Sequence, residues 1–358
     1  MPFHPRFLVS AIGAMPFTDV GYAVDLSLRR MPEAPAWPQL PQLCLNEQME
    51  VQIAEGVPCL TIDRERRRVF FDSSGDCTNA LTEFYQSYLA ATEAGPDRGD
   101  FSALGIGRDF AAGFYGLEEK LRTNGGSKPP FVKVQSIGPV SFALNVRDAN
   151  DRASFFDEQL RDVVVRAIAA KCRWQIQRYR DLAERVICFA DEPVLSSFGS
   201  SVYVSVGRAE VVTMIEEVMQ AIRDEGAISG VHCCGNTEWS IPIDAGADIV
   251  AFDAFEFGET VALYSEDVKQ HLETGGVLAW GVVPTSEAVR EQTVQKLADH
   301  LERVIGVLAA TGIDGGLIAE QAMVTPSCGA GTMQPDDAER VFELNQALGE
   351  EMRRRFGF

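Results

Sequence analysis

Residues 228–256 read ISGVHCCGNTEWSIPIDAGADIVAFDAFE. Two apolar runs, 228–234 and 248–255, flank a polar, turn-rich stretch. Neither run alternates apolar with polar residues. Each is apolar almost throughout, the pattern of a parallel strand covered on both faces. The same unit recurs in both directions along the chain, at 7–14, 58–62, 132–144, 185–194, 276–283 and 316–324, giving eight expected strands with the two above. Helical stretches lie between them. Residues 208–224 set Val211, Val212, Ile215, Val218, Met219 and Ile222 on one face at the 3.6-residue period. Residues 294–308 do the same with Leu297, Leu301, Val304, Ile305 and Leu308, 151–182 is a long helical stretch, and 335–356 is amphipathic. Strands alternating with helices define an α/β chain, and eight such units predict a (β/α)8 TIM barrel, one domain over 1–358 with loop insertions. The second unit is the least regular. Residues 31–42 (MPEAPAWPQLPQ) carry four prolines and read as a loop, 62–72 read as a β-hairpin with a charged tip, and 124–130 as an exposed turn. The alternative, a doubly wound open sheet, lacks its signature: no G-x-G-x-x-G follows the first run, and Gly105-Ile-Gly107 has no third glycine in place.

The chain has 358 residues, 46% of them hydrophobic and 23% charged, with 32 Lys+Arg against 52 Asp+Glu and a formal net charge of −20. These values exclude a disordered chain, a collagen and a disulfide-stapled miniprotein. So acidic a surface repels phosphate backbones and anionic lipid, so neither nucleic acid nor a membrane is an expected partner. No apolar run reaches the roughly 18–20 residues needed to span a bilayer. Residues 7–17 follow Arg6 and mimic a short signal sequence, but Gly13 and Pro16 fit a buried strand and turn, and the expected location is the cytoplasm. The eight cysteines are read as mostly buried thiols, with a few as metal ligands.

His232 and Cys234 stand two residues apart, so on an extended segment both side chains point the same way. The alternative is a buried histidine beside inert thiols. Cys328 lies in the Gly-rich loop Thr325-Pro-Ser-Cys-Gly-Ala-Gly331 after the last apolar run. In a barrel the ends of the fifth and eighth strands open on one face, so a histidine and two cysteines converge there, a donor set suited to zinc. The sixth run ends with Asp253 and Glu256, either a fourth ligand or a cap of the next helix. The fourth ends with Asp191-Glu-Pro193, where Asp191 or Glu192 would accept a substrate ammonium or cap a helix. For a sulfonate-bearing acceptor, Lys133 and Arg147 are the nearby cations.

His232-Cys-Cys234, Cys328 within Ser-Cys-Gly, Asp191-Glu-Pro193, Ile137-Gly-Pro139 and Ile12-Gly-Ala-Met-Pro16 resemble, in order along most of the chain, the cobalamin-independent methionine synthase family. They also resemble its relatives in the uroporphyrinogen decarboxylase-like superfamily, including corrinoid-dependent methyltransferases. The resemblance implies a barrel with zinc at its C-terminal mouth, held by His232, Cys234, Cys328 and a carboxylate. Ungapped alignment puts that carboxylate at Asp253, and keeping the family's distance from His-x-Cys puts it at Glu256. Asp191 matches the residue that binds the amino group of homocysteine, and the turn at Gly13 and Ala14 would offer backbone groups to the same amino acid. The implied activity is methyl transfer to a zinc-activated thiol such as homocysteine.

Two departures bear on the donor. The chain matches only the catalytic half of the long methionine synthases. It also has no histidine in Trp280-Gly-Val-Val-Pro-Thr285, where the long enzymes place a proton donor. The departure favours a methyl-corrinoid such as methylcobalamin, free or on a corrinoid carrier protein, over a methyl-folate. The competing readings are a metal-free decarboxylase on the same barrel, which would need an arginine cluster where only Arg6, Arg29 and Arg30 occur, and a binding protein with a structural zinc site.

Overall fold

The structure, a computed structural model, describes residues 3–72, 76–96, 98–123 and 128–358, so 124–127 of the predicted 124–130 turn lie outside it. Its strands are β1 (Leu8–Val9), β2 (Leu60–Asp63), β3 (Arg68–Phe71), β4 (Phe131–Ile137), β5 (Arg147–Asp148), β6 (Arg185–Asp191), β7 (Ile228–Cys233), β8 (Ile249–Asp253), β9 (Val277–Val283) and β10 (Ala322–Pro326). Helices α1 (Val20–Arg30), α2 (Met49–Ala54), α3 (Thr78–Glu93), α4 (Ala112–Thr123), α5 (Pro139–Asn145), α6 (Glu158–Tyr179), α7 (Arg208–Asp224), α8 (Ser240–Asp244), α9 (Ser265–Glu273), α10 (Val294–Ala309), α11 (Gly315–Glu320) and α12 (Pro335–Phe356) complete it. None of these helices is long and apolar enough to cross a membrane.

Seven strands form one parallel sheet in the order β1-β10-β9-β8-β7-β6-β4. Side chains on its inner face, among them Ile187, Phe189, Ile228, Ile249, Ala251, Ala279 and Met323, pack on one another. The outer face packs under the helices in a larger core. Helices α7 and α12 begin and end where the 3.6-residue periodicity predicts. The stretch 151–182 resolves into a short 3₁₀ turn and the single helix α6, capped by Asp157, which accepts from the amides of Gln159 and Leu160.

The expected eight-strand closed ladder is not formed. The apolar run at 58–62 belongs instead to an antiparallel β2–β3 hairpin, in register Leu60↔Phe71 to Asp63↔Arg68, which with β5 makes a separate three-stranded sheet. The run at 316–324 splits into α11 and β10. The proline-rich segment read as a loop lies between the two sheet edges. Glu33 and Pro35 carbonyls accept from Phe131 and Lys133 of β4, and the Trp37 amide donates to the Lys133 carbonyl. On the other side Gln39 donates to Gly13, and Met15 donates to Gln39. The contacts are isolated bridges, Ala36↔Lys133 and Ala14↔Gln39, and not a ladder. Prolines cannot donate, so the segment bonds only through the positions between them.

Trp37 anchors this segment. It is fully buried, donates its indole N–H to Gln175 at 2.9 Å and meets Phe114 edge-on. Trp37→Ala is expected to lower stability by about 3–5 kcal/mol in urea unfolding, as for a core aromatic. A residue in a surface loop would change it by no more than about 0.5 kcal/mol.

Candidate metal centre

Alternation along parallel strands sends every second side chain inward. Asp191 ends β6 and pairs in register with His232 of β7; Asp253 of β8 and Thr325 of β10 both stand opposite Gly281 of β9. At the end of β10 the register slips between Thr325 and Pro326, a bulge that redirects the chain into the Cys328 loop. The loop packs on the first turn: Ala330 donates to the Ala14 carbonyl at 2.9 Å, and Gly329 leaves no room for a side chain against Ala14.

His232, Cys234 and Cys328 come together here, their ligand atoms all within 4.8 Å of one another. Cys233, between the first two, faces the helix layer, and its thiol approaches the Gly235 carbonyl. Both ring nitrogens of His232 are buried, and neither makes a hydrogen bond. Two such orphans on one imidazole are costly unless a further group binds there. The Cys328 thiol beside it and the His232 ring favour a thiolate at Cys234, held well below the usual thiol range, while Cys328 itself is pushed up by Cys234 and by burial. Two soft sulfur donors and an imidazole fit zinc, which demands deprotonated thiols.

Neither carboxylate expected as a fourth ligand joins this cluster. Asp253 is buried on the inner wall, and one of its oxygens accepts from the amides of Phe255 and Glu256 at 2.9 and 3.0 Å, closing the turn after β8 and not capping the next helical element. Burial pushes its carboxyl up to about 6. Glu256 is exposed.

The two adjacent acids at the end of β6 part ways. Asp191 lines a cavity of about 300 Å³ together with Ile12, Ala14, His232, Cys234 and Cys328. One of its oxygens is buried without a partner; burial raises its pKa, opposed by the charges of Lys133 and His232. Glu192 points away from the cavity, and its two oxygens accept from the amides of Val140 and Ser141 at 2.9 and 2.7 Å, at the start of α5. Gly138 is a glycine because a side chain there would collide with that carboxyl. Lys133 is buried, gives its ammonium to the Ile12 carbonyl at 2.6 Å and lies over the Phe189 ring; burial pushes it down to about 8. It therefore supports the 12–14 turn from below. Gly13, at φ +135°, adopts a conformation open to glycine, and a side chain would strike Gln135. Arg147 lies apart, exposed on β5.

The cavity also contains residues the sequence did not flag. Gln39 lies within the proline-rich segment taken for a loop and Glu47 follows it, and with it their place was hidden. Glu47 accepts from the Ala112 amide at 2.7 Å, and burial pushes it up to about 7. Outside the cavity lining, Thr325, inward on β10, has a buried hydroxyl without a partner. The thiol expectation needs one amendment: Cys59 and Cys77 form a disulfide across the base of the hairpin, Cα atoms 5.8 Å apart.

The whole is a curled parallel α/β sheet with a His–Cys–Cys cluster at the C-terminal ends of its strands. The same fold occurs in a methyltransferase from Methanosarcina mazei (TM-score 0.56, 16% identity, 98% of this chain and 94% of that one). It occurs also in a B12-independent methionine synthase from a Shewanella species, solved with selenomethionine (TM-score 0.55, 12% identity, 98% of both chains). At such identities the likeness is one of fold. No protein-family model and no curated protein sequence matches the chain.

Glu192→Gln puts an NH2 group against one of the two amides, and is expected to cost about 1–3 kcal/mol of stability. Burial raises the Glu192 pKa from 4.5 to about 7, so the folded state holds the proton more tightly. The stability this contributes is complete below pH about 4.5 and lost as pH rises through about 7. The variant should flatten that part of the pH–stability profile in denaturant titrations.

Proposed function

We propose that the chain is a methyltransferase that delivers a methyl group to a thiol, with zinc held by His232, Cys234 and Cys328. The observation that carries this reading is the meeting of three soft donors within 4.8 Å around an imidazole with no other partner. Bound there, zinc would lower the pKa of an incoming thiol, so that it is a thiolate at neutral pH. A structural zinc site has four protein donors, whereas three converge here, which favours a place kept open for substrate. Were a carboxylate to occupy that place before a thiol arrives, it would be Asp253, buried on the inner wall, and not the exposed Glu256, and Asp253 would have to give up its hydrogen bonds to the Phe255 and Glu256 amides to do so.

The cavity suits a small amino thiol such as homocysteine. Asp191, with an unpartnered buried oxygen facing that cavity, is the natural seat for the ammonium, because an uncompensated carboxylate gains most from a cation in a water-poor site. Glu192 is spent on α5 and takes no part in binding. The Lys133-supported turn at Gly13 and Ala14 closes one side and holds the acceptor in place. In the reaction the sulfur–methyl bond forms as the methyl–donor bond breaks, and the electron pair of that bond leaves with the donor. Residues 280–285 contain no acid to protonate a leaving group, which favours a methyl-corrinoid over a methyl-folate. The same reading takes residues 33–39 as the remaining stave of a (β/α)8 barrel.

Zinc analysis of the purified chain should find about one ion per chain, and Cys328→Ala should leave it substoichiometric. X-ray absorption at the zinc edge should gain a sulfur ligand on adding homocysteine. Absence of zinc, or a spectrum indifferent to every thiol, sinks the proposal. Asp191→Asn should raise KM for homocysteine at least about tenfold, the scale of one lost charge-assisted hydrogen bond, with a smaller change in kcat.

A further inference from the structure

Cys59 and Cys77, 18 positions apart, tie the base of the β2–β3 hairpin. Both are half-buried, within reach of a small reductant. Beside the bridge the Asp72 amide donates to the Cys59 carbonyl at 2.8 Å. Cys59 is held at φ +65°, the left-handed region that residues other than glycine adopt at a cost. The bridge helps to hold it there, and with the bridge open the residue is free to relax.

The hairpin in turn clasps the wall of the metal cavity. Both its strands pack on α2. At its tip the Arg64 guanidinium donates to the Asn46 side chain at 3.1 Å. Asn46 donates on its other side to the Asp109 carbonyl, also at 3.1 Å. The next three residues, Glu47, Gln48 and Met49, all line the metal cavity. This stretch is therefore gripped from two sides, and one grip reaches it through the hairpin.

Two of the three donors at the metal site are thiols, which serve as ligands only while unoxidised. Surroundings that preserve them are those in which a protein disulfide is usually transient or redox-sensing. This step rests on the zinc reading of the site.

We propose that the Cys59–Cys77 disulfide is a redox latch on the acceptor cavity, closed when oxidised and opened by a dithiol reductant. A thiolate of the reductant attacks one sulfur, the S–S bond breaks, and the second reductant thiol displaces the mixed disulfide. The reductant leaves as a disulfide, and its two protons pass to Cys59 and Cys77. With the latch open, the hairpin works loose from α2 and the wall at 47–49 loosens, so the acceptor binds less well.

The test compares the zinc-loaded chain with and without tris(2-carboxyethyl)phosphine, because a thiol reductant would itself occupy the metal. The phosphine takes an oxygen atom from water while the disulfide takes two electrons and two protons. Hydrogen exchange of the 47–54 amides should quicken at least about tenfold on reduction, and trypsin should cut at the exposed Arg64, Arg66, Arg67 and Arg68 faster by a similar factor. The homocysteine concentration that half-saturates the zinc-edge change should rise at least about threefold, with zinc content unchanged. Cys59→Ser/Cys77→Ser should match the reduced chain with or without the phosphine. Exchange or homocysteine affinity that the phosphine leaves unchanged in the parent, or shifts equally in the variant, overturns the latch. Exchange that quickens in a chain whose metal site takes up no thiol in either state upholds the latch on the wall and fails only the methyl-transfer reading.

Discussion

Seven strands running in one direction impose a single constraint from which the site follows. In a parallel sheet neighbouring residues align in register, and alternate side chains face the same side. Inward residues at the C-terminal ends therefore share one level and one opening. Asp191 stands beside His232, and Asp253 and Thr325 both flank Gly281. A side chain at Gly281 would collide with the carbonyls of Phe252 and Pro326, so its absence is what lets β8 and the end of β10 draw together. The bulge after Thr325 completes the arrangement by turning Cys328 toward the other two donors.

The price of gathering so many polar groups in a dry interior is desolvation, and the structure meets it unevenly. Glu192 receives two backbone amides, and Lys133 gives its charge to a carbonyl and a ring face. These are internal struts, each satisfied. His232, Asp191 and Thr325 keep buried polar atoms without partners at the same end of the sheet. Such groups are costly in an interior, and while others are scattered through the fold, those of His232 and Asp191 border one cavity, which has room for a further group. The same distinction separates two adjacent acids that look alike in sequence: both oxygens of Glu192 are spent on backbone amides, while one buried oxygen of Asp191 has no partner.

Much of the fold was legible because buried parallel strands and amphipathic helices write strong patterns. The runs ending at Asp191, at His232 and Cys234, and at Asp253 all became inward-opening strands. Helices α7 and α12 matched their periodicity to the residue. The second unit misled for a definite reason. Its sheet-edge segment is built around Pro32, Pro35, Pro38 and Pro41, residues that forbid a regular ladder, so it carries turn chemistry while lying beside β4. The apolar run that seemed to fill its place belongs to an excursion stapled by Cys59 and Cys77.

The sequence by itself determined the α/β class, most of the strands and the donor types, because hydrophobic period and the identity of His232, Cys234 and Cys328 are local properties. Only the tertiary structure decided which of two adjacent acids faces the cavity, and that Asp253 is buried on the inner wall while Glu256 is exposed. Those depend on register, on a bulge and on side chains from segments far apart in the chain, and no local pattern encodes how such distances close.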